Sequence, residues 1–255
     1  MPIPFLPTPR HALFLDFDGT LADIAAQPQA VQVRPQVLHA LPTLHAALGG
    51  ALAIVTGRTM VDIDRFLAPL CLPVACEHGA QYRLNEGIQN DAPALDWEPV
   101  FSALHPLLEH HPQLLLEAKN AGLALHYRQA QHLEAVCRQT LQDALRAVPG
   151  AELLQGKCVL EAKPAGPSKG RAIAHFMRTA PFAGRTPLFV GDDVTDEAGF
   201  AAVQALGGLG VKVGDGTTQA RARLAGPGAV REWLQTAAQA LDTPCHAPVG
   251  RECTP

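Results

Sequence analysis

The 255-residue chain lacks the cysteine patterns that organise disulfide-rich or zinc-binding domains. It has six cysteines, but no CxxC pair and no spacing typical of metal ligands. Because dense disulfide frameworks belong to oxidising compartments, we predict reduced thiols and a cytoplasmic protein. The cysteines are Cys71, Cys76, Cys137, Cys158, Cys245 and Cys253.

The sequence also lacks a long apolar run and a charged N-terminal leader. The apolar stretch at 12–15 ends in a carboxylate, so neither a signal peptide nor a membrane span is predicted. The formal charge of −4 and the pI near 6.2 indicate no general basic surface. We therefore expect no nucleic-acid or membrane partner. An anionic substrate would need local Lys, Arg or metal.

Two familiar catalytic motifs are absent as well. No GxxxxGK[ST] loop occurs, which excludes P-loop chemistry. No HExxH motif occurs, and isolated histidines such as His39 and His175 are more often structural residues than zinc ligands. The chemistry must therefore come from other groups.

Short apolar runs, each stopped by polar or glycine residues, alternate with segments of helical period. This alternation predicts an α/β fold with a doubly wound parallel sheet. The predicted strands are 12–15, 51–55, 187–190 and 210–213. The predicted helices are 35–48, 59–67, 168–179 and 195–205, several with Ser or Thr as N-cap.

The stretch from about 82 to 158 has a different order: helix, two strands, helix, two strands. This symmetric order predicts a compact α+β insertion, which we place at 85–162, within a discontinuous core of 1–84 and 163–255. A chain of 255 residues is long enough for both. The final stretch, 243–255, carries Pro and Gly without periodicity, and we expect it to be frayed.

Two carboxylates follow the first predicted strand, in the segment DFDGT at 16–20. Asp16 and Asp18 can approach one small volume, and neighbouring carboxylates repel unless they share a cation or a proton. Mg²⁺ accepts such oxygen ligands and bridges them to phosphate. A carboxylate can also attack phosphorus. The same segment fits a plain strand-ending turn, since Asp and Gly are both favoured in turns.

Other predicted strands and helices end or begin with groups that could also bind phosphate or a metal ion. Residues 56–58 (TGR) could cradle an anion, Asp192 and Asp193 could bind metal, and Lys169 could bind phosphate. Taken singly, these groups also fit an N-cap, an acidic helix start and a surface lysine. Because the carboxyl ends of parallel strands share one edge, we expect them to meet there. Residues 77–79 (EHG) end a further predicted strand at that edge.

These four segments, in this order, resemble the signature of the haloacid-dehalogenase superfamily: DxDx[TV], a Ser or Thr, a Lys and an acidic pair. The runs at 163–170 (KPAGPSKG) and 191–197 (GDDVTDE) further resemble the trehalose-phosphatase family within it. The resemblance spans about 12–215 and implies a Rossmann-like core with an inserted cap domain. It also implies Mg²⁺-dependent hydrolysis of trehalose 6-phosphate through an aspartyl-phosphate.

The resemblance implies roles for individual residues. The implied catalytic residues are Asp16, Asp18, Thr56 and Lys169. The implied substrate-binding residues are Gly57, Arg58, Glu117, Lys119, Arg128, Lys157 and Glu161. The implied metal ligands are Asp16, Asp18 through its carbonyl, and Asp192, with Asp193 and Asp196 in support. Lys163 and Thr56 stand where the family often has Arg and Ser, and both keep the chemical type.

Several alternatives remain open at this level. The alternation at 116–119 also fits a half-exposed strand with solvated charges. Other possible activities are hydrolysis of sucrose phosphate or another sugar phosphate, a phosphoglycosyl mutase, and a catalytically silent sugar-phosphate-binding module. We expect a small-molecule substrate and a monomer, with a dimer as the alternative.

Overall fold

The computed structural model of the protein describes residues 5–84 and 87–242. The strands of this part of the chain are β1 (His11–Leu15), β2 (Leu52–Val55), β3 (Val74–Cys76), β4 (Gln81–Leu84), β5 (Gly87–Asn90), β6 (Leu115–Ala118), β7 (Leu123–His126), β8 (Ala151–Gly156), β9 (Val159–Pro164), β10 (Thr186–Gly191), β11 (Leu209–Val213) and β12 (Ala222–Leu224). Its α-helices are α1 (Pro35–Ala47), α2 (Met60–Leu67), α3 (Glu98–His110), α4 (Glu134–Leu145), α5 (Lys169–Phe176), α6 (Glu197–Ala205) and α7 (Pro227–Asp242).

The larger sheet has eight strands in the order β12-β11-β10-β1-β2-β3-β4-β5. The strands from β12 to β3 are parallel, and the β4–β5 hairpin adds an antiparallel edge. From the central β1 the chain passes to β2 on one side, and it later returns through β10 on the other. Such a reversal opens a crevice at the carboxyl ends of the strands. The predicted doubly wound α/β fold is confirmed.

Alternating side chains of the buried strands form a hydrophobic core on each face of this sheet. Leu13 and Leu15 of β1 pack in the cluster that includes buried residues of α1, α2 and α7. Phe14 points to the other face, where its ring lies 6.0 Å from that of Phe176 in α5. Phe200 of α6 belongs to the same cluster. Near-continuous apolar runs are typical of strands that are covered on both faces.

The inserted domain has a four-stranded antiparallel sheet in the order β6-β7-β9-β8. Leu125 and Leu160 of this sheet pack against Leu104 of α3 and Leu141 of α4. The helices therefore cover one sheet face. We call this unit the cap and the remainder the core.

The structure differs from the sequence-based elements in several places. The helix expected from Thr195 begins instead with a 3-10 turn at 194–196, because Asp193 and Asp196 form the capping box there. The elements β4, β5, β12 and α7 were not predicted from the sequence. The division at 85–162 stays a prediction. Since β5 pairs with β4 in the larger sheet, we propose that the cap begins after Asn90.

The predictions for the tail at 243–255, including Cys245 and Cys253, lie outside the described residues. The cysteines within the described ranges, Cys71, Cys76, Cys137 and Cys158, are free thiols. None of the helices in these ranges combines the length and apolar character that crossing a membrane requires.

We predict that Gly170→Ala destabilises the core. A Cβ at this position would lie 2.4 Å from the carbonyl oxygen of Ala198, so α5 and α6 would have to separate. Overpacking of this kind costs about 1–3 kcal/mol, which exceeds the helix-propensity gain of at most about 1 kcal/mol. Urea denaturation measures the change. Gly226→Ala is the control, because nothing lies within 4 Å of a Cβ there; equal stability of the two variants would contradict the prediction.

Candidate active site

Three strands and one helix bring the predicted catalytic groups to one place. Asp16 follows β1, Thr56 follows β2, and Asp192 follows β10, each directly beyond the carboxyl end of its strand. Lys169 is the first residue of α5. Because β1 pairs with both β2 and β10, the three strand ends are neighbours. All four side chains are buried.

The turn after β1 explains why the DFDGT segment has a glycine at position 19. Gly19 has a φ of +77°, and a Cβ there would lie 2.2 Å from Oδ2 of Asp192. Glycine therefore allows both the backbone conformation and the close approach. Thr20 Oγ1 donates a hydrogen bond of 3.1 Å to Oδ2 of Asp16. The turn thus orients Asp16 and brings it beside Asp192.

The ammonium of Lys169 lies between two buried carboxylates. Its Nζ is 2.6 Å from Oδ1 of Asp16 and 2.6 Å from Oδ1 of Asp196. Burial and the neighbouring Asp196 raise the pKa of Asp16, although Lys169 opposes the rise. Burial would lower the pKa of Lys169, but the two carboxylates outweigh it and raise that pKa above its usual value. Lys169 therefore stays charged at neutral pH and offsets the acidic pair.

A third carboxylate completes a buried acidic cluster. Asp16, Asp192 and Asp196 each offer an oxygen within 4.8 Å of the others. Burial raises the pKa of Asp192, opposed by Lys157, whose Nζ donates a hydrogen bond of 2.6 Å to Oδ2. Several carboxylate oxygens in one small volume are the donor set that hard divalent cations prefer. These residues therefore fit a metal such as Mg²⁺.

Asp18 is paired with Arg58. Nε and Nη2 of Arg58 each donate to one carboxylate oxygen at 2.7 Å. Nη1 of Arg58 donates to the carbonyl oxygen of Pro28 at 2.8 Å. A bidentate contact of this type suits an ionised carboxylate. In this arrangement Arg58 holds a core carboxylate as well as lining the cleft.

The cap presents charged side chains on the sheet face away from its helices. Strand register places Glu117, Ala124 and Glu161 side by side on β6, β7 and β9. Lys119 Nζ donates to the carbonyl oxygen of Gly57 at 2.9 Å and contacts Glu161. Burial would raise the pKa of Glu161, but Lys119 and His78 outweigh burial and lower it.

Two further contacts organise this cap face. His126 Nε2 lies 2.8 Å from Oε2 of Glu117. Burial would raise the pKa of Glu117, but His126, Lys119 and Arg58 together outweigh burial and lower it. Arg128 donates to the carbonyl oxygen of Lys157 at 2.7 Å. Because Lys157 in turn reaches Asp192, the cap and the acidic cluster of the core are in direct contact.

One cleft between the core and the cap is lined by all the predicted catalytic and substrate-binding residues and by the three predicted metal ligands. Its empty space, including the open mouth, is ≈ 910 Å³. The predicted residues that line it are Asp16, Asp18, Thr56, Gly57, Arg58, Glu117, Lys119, Arg128, Lys157, Glu161, Lys169 and Asp192. Their roles stay predictions, but their positions place them around a single volume.

The supporting residue Asp193 also lines the cleft. Further lining residues were not assigned a role from the sequence: Ile24, Ala25, Ala26, Gln27, Pro28, Val31, His78, His126, Val159 and Thr195. For His78, its position just after a predicted strand was the sequence feature that pointed to the site. Nothing in the sequence identified segment 24–31 as part of the site, because only the folding of this loop brings it to the cleft.

Lys163, which stands where the family often has Arg, is not among the lining residues. Its ammonium contacts Glu152 and donates to the carbonyl oxygen of Pro167 at 2.7 Å. It therefore ties the end of β9 to the segment that leads into α5.

This fold, with an acidic turn at the end of its central strand and a cap over the crevice, is the fold of haloacid-dehalogenase-like hydrolases. A solved haloacid dehalogenase-like hydrolase from B. subtilis has the same fold, with a TM-score of 0.62, 15% identity, and coverage of 89% of this chain and 99% of that one. The chain belongs to the trehalose-phosphatase family, whose model matches residues 14–227.

Individual relatives agree with this assignment. Trehalose-6-phosphate phosphatase of Escherichia coli K12 is 46% identical over 237 residues, which cover 91% of this chain and 88% of the relative. The crystal structure of a trehalose-6-phosphate phosphatase related protein has a TM-score of 0.76 and 27% identity, and the match covers 89% of this chain and 97% of that chain. The predicted family and fold are confirmed.

We predict that Glu161→Gln lowers stability in a pH-dependent manner. Removing one partner of a buried ion pair should cost about 3 kcal/mol at pH 7. The pKa of Glu161 is lower in the folded protein than in the unfolded chain. Its contribution is therefore complete above the unfolded pKa of about 4.3 and declines as the pH falls below that value. Urea denaturation at pH 7, 5 and 4 measures the difference from the wild type.

Glu109→Gln on the exposed surface of α3 is the matched control and should leave stability nearly unchanged at each pH. A difference between wild type and Glu161→Gln that widens as the pH falls would contradict the assignment.

Proposed function

We propose that the protein hydrolyses trehalose 6-phosphate to trehalose and inorganic phosphate. The observation that carries this proposal is the single cleft in which buried Asp16 and Lys169 of the core face Glu117, Lys119 and Glu161 of the cap. The core groups suit a phosphate and the cap groups suit a molecule rich in hydroxyls. Membership of the trehalose-phosphatase family supports the choice of sugar.

In the proposed first step, a carboxylate oxygen of Asp16 attacks phosphorus. A bond forms between this oxygen and phosphorus while the bond from phosphorus to the sugar oxygen breaks. Asp18 gives its proton to the departing sugar oxygen. The products are an aspartyl-phosphate and free trehalose. Thr56 and Lys169 bind phosphoryl oxygens, and Lys169 also offsets the charge of Asp16.

In the proposed second step, water attacks phosphorus and Asp18, now a carboxylate, accepts the proton. The bond between phosphorus and Asp16 breaks, which restores the nucleophile and releases inorganic phosphate. The same residue serves twice because the two steps move the proton in opposite directions.

The contact between Arg58 and Asp18 has to open before Asp18 can act in the proposed reaction. Both carboxylate oxygens of Asp18 accept from the guanidinium in this structure. A substrate phosphate is a competing anion for Arg58, since guanidinium also pairs bidentately with phosphate. We propose that substrate binding draws Arg58 from Asp18 and thereby frees the Asp18 carboxyl group to approach the leaving oxygen. Gly57 contributes its backbone beside the same phosphate.

We propose Mg²⁺ as the cofactor, held by Asp16, Asp192 and the carbonyl of Asp18, with Asp193 and Asp196 in support. The buried cluster of carboxylate oxygens fits such an ion. When bound, Mg²⁺ supplies charge that neutralises phosphoryl oxygens. Asp196 is bonded to Lys169 and to the backbone N–H of Asp193, so its part is to hold the site in shape.

The cap residues are proposed to bind the disaccharide. Lys119 and Glu161 hydrogen-bond to each other in the cleft. Each can exchange this hydrogen bond for one to a sugar hydroxyl. Glu117 is held by His126 in the same way. Arg128 and Lys157 stand closer to the acidic cluster and suit the phosphate side. We further propose a cytoplasmic monomer without nucleic-acid or membrane partners.

The test of this proposal is phosphate release from a panel of trehalose 6-phosphate, sucrose phosphate and glucose 6-phosphate. We expect the highest kcat/KM for trehalose 6-phosphate. Asp16→Asn should reduce kcat by at least about 10³-fold, because a neutral amide cannot replace the nucleophile.

Asp143→Asn on exposed α4 is the control and should retain wild-type rates. A higher kcat/KM for another sugar phosphate would contradict the assignment of trehalose 6-phosphate as substrate. Substantial turnover by folded Asp16→Asn would contradict the assignment of Asp16 as nucleophile. Binding of the sugar phosphate with Mg²⁺ but without turnover would favour the silent module.

We predict that Mg²⁺ raises the melting temperature of the wild-type protein. A ligand at about 100 times its Kd stabilises the folded state by about 2.7 kcal/mol, which corresponds to several degrees. Asp192→Asn should abolish this shift, because it removes one carboxylate from the cluster. Thermal denaturation with and without Mg²⁺ provides the measurement. An undiminished shift in Asp192→Asn would exclude this carboxylate as a ligand.

A further inference from the structure

The core segment after β3 has an unusual backbone. Glu77 and His78 are consecutive non-glycine residues with φ of 47° and 59°, followed by Gly79 at 93°. A left-handed conformation is unfavourable for a non-glycine residue, because Cβ then crowds the following carbonyl oxygen. Such strain persists only where the surrounding contacts enforce it, and it is common at functional sites. Both side chains are also buried.

The backbone of this segment is bound to the core. The N–H of Glu77 donates to the carbonyl oxygen of Arg58 at 3.0 Å, and the N–H of His78 donates to that of Thr56 at 2.9 Å. The segment is therefore anchored to the loop that follows β2, which carries proposed phosphate-binding residues.

The side chain of Glu77 is bound to the cap. Oε1 accepts from the backbone N–H of Asn120 at 3.1 Å and from its Nδ2 at 2.9 Å. Oε2 accepts from the N–H of Ala121 at 2.8 Å. These three donors belong to the turn between β6 and β7. Hydrogen bonds to an ionised carboxylate are about twice as strong as neutral ones, so this turn is firmly held by one core residue.

The turn that Glu77 holds determines where Lys119 lies. Lys119 directly precedes Asn120, and its N–H donates to the carbonyl oxygen of Gly122 across the turn at 2.9 Å. From this position its ammonium reaches Gly57 in the core. His78 adds a second connection, since its Nε2 lies 3.2 Å from Oε2 of Glu161.

We propose that Glu77 is a positioning residue that captures the β6–β7 turn when the cap closes and so sets Lys119 against the sugar. The left-handed backbone at 77–78 directs the side chain of Glu77 at the β6–β7 turn and that of His78 at β9. Backbone N–H groups of the cap supply two of the three hydrogen bonds, and Asn120 Nδ2 supplies the third. This inference rests on the proposed function, because it assumes that Lys119 contacts the substrate.

Glu77→Gln tests the inference with little change in shape. The amide nitrogen would face N–H donors of the turn, so the capture would be weakened. We expect kcat/KM for trehalose 6-phosphate to fall on the order of 10–100-fold. We expect kcat/KM for p-nitrophenyl phosphate to change by less than about threefold, because an aryl phosphate can react without contacts to Lys119.

Hydrogen exchange measures the capture itself. The amides of Asn120 and Ala121 should exchange at least about 10-fold faster in Glu77→Gln than in the wild type, since their acceptor is weakened. Glu109→Gln, on the exposed surface of α3, is the matched control and should change neither exchange nor either rate. Asn120→Ala removes only the side-chain donor and should produce the same selectivity with a smaller loss.

Equal losses on both phosphate esters, or unchanged exchange at Ala121, would overturn the positioning role. Should Glu77→Gln fail to fold, Asn120→Ala decides alone, and an absence of selective loss in that folded variant would also overturn it. If the wild type does not release phosphate from trehalose 6-phosphate, the proposed function fails. In that case the exchange experiment still supports or overturns the capture of the turn.

Discussion

The candidate site depends on one buried cation between two buried carboxylates. Asp16 and Asp196 cannot remain charged side by side in the interior unless a cation compensates them, and Lys169 does so from the first turn of α5. The position of that ammonium depends on the approach of α5 to α6, which Gly170 permits against Ala198. Tight helix packing and active-site electrostatics are therefore parts of the same constraint. The remaining carboxylate, Asp192, forms an ion pair with Lys157 of the cap.

Much of the core fold could be predicted because its central strands are covered on both faces. Such strands read as uninterrupted apolar runs, and the residues that stop them are the ones that face the crevice. This logic located Asp16, Thr56 and Asp192 together, although they are far apart in the chain. It did not predict the β4–β5 hairpin, whose outer strand β5 is exposed and contributes no apolar run. Helix α7 packs in the core with α1, a long-range contact that the local sequence pattern did not reveal.

The sequence predicted which residues belong to the site, but it did not predict which of these residues contact one another. Arg58 and Asp18 are 40 positions apart, and nothing in either segment indicates that they pair. The same holds for Glu77 and Asn120, which meet only because the cap folds back over the core. Strand register could assign Glu117 and Glu161 to one face once the cap sheet was known. Residue types can therefore be read from the chain, whereas their partners require the folded geometry.

The cap is joined to the core at both ends, through residue 91 onwards after β5 and through the segment between β9 and α5. A doubly tethered domain cannot diffuse away, so its charged face experiences the core at a high effective concentration that dilution of the protein does not change. Closure is then a unimolecular event, and weak individual contacts are sufficient to complete it. In the proposed reaction, release of product requires the same contacts to break. The two tethers therefore allow a cap that closes without a large binding energy and still reopens readily.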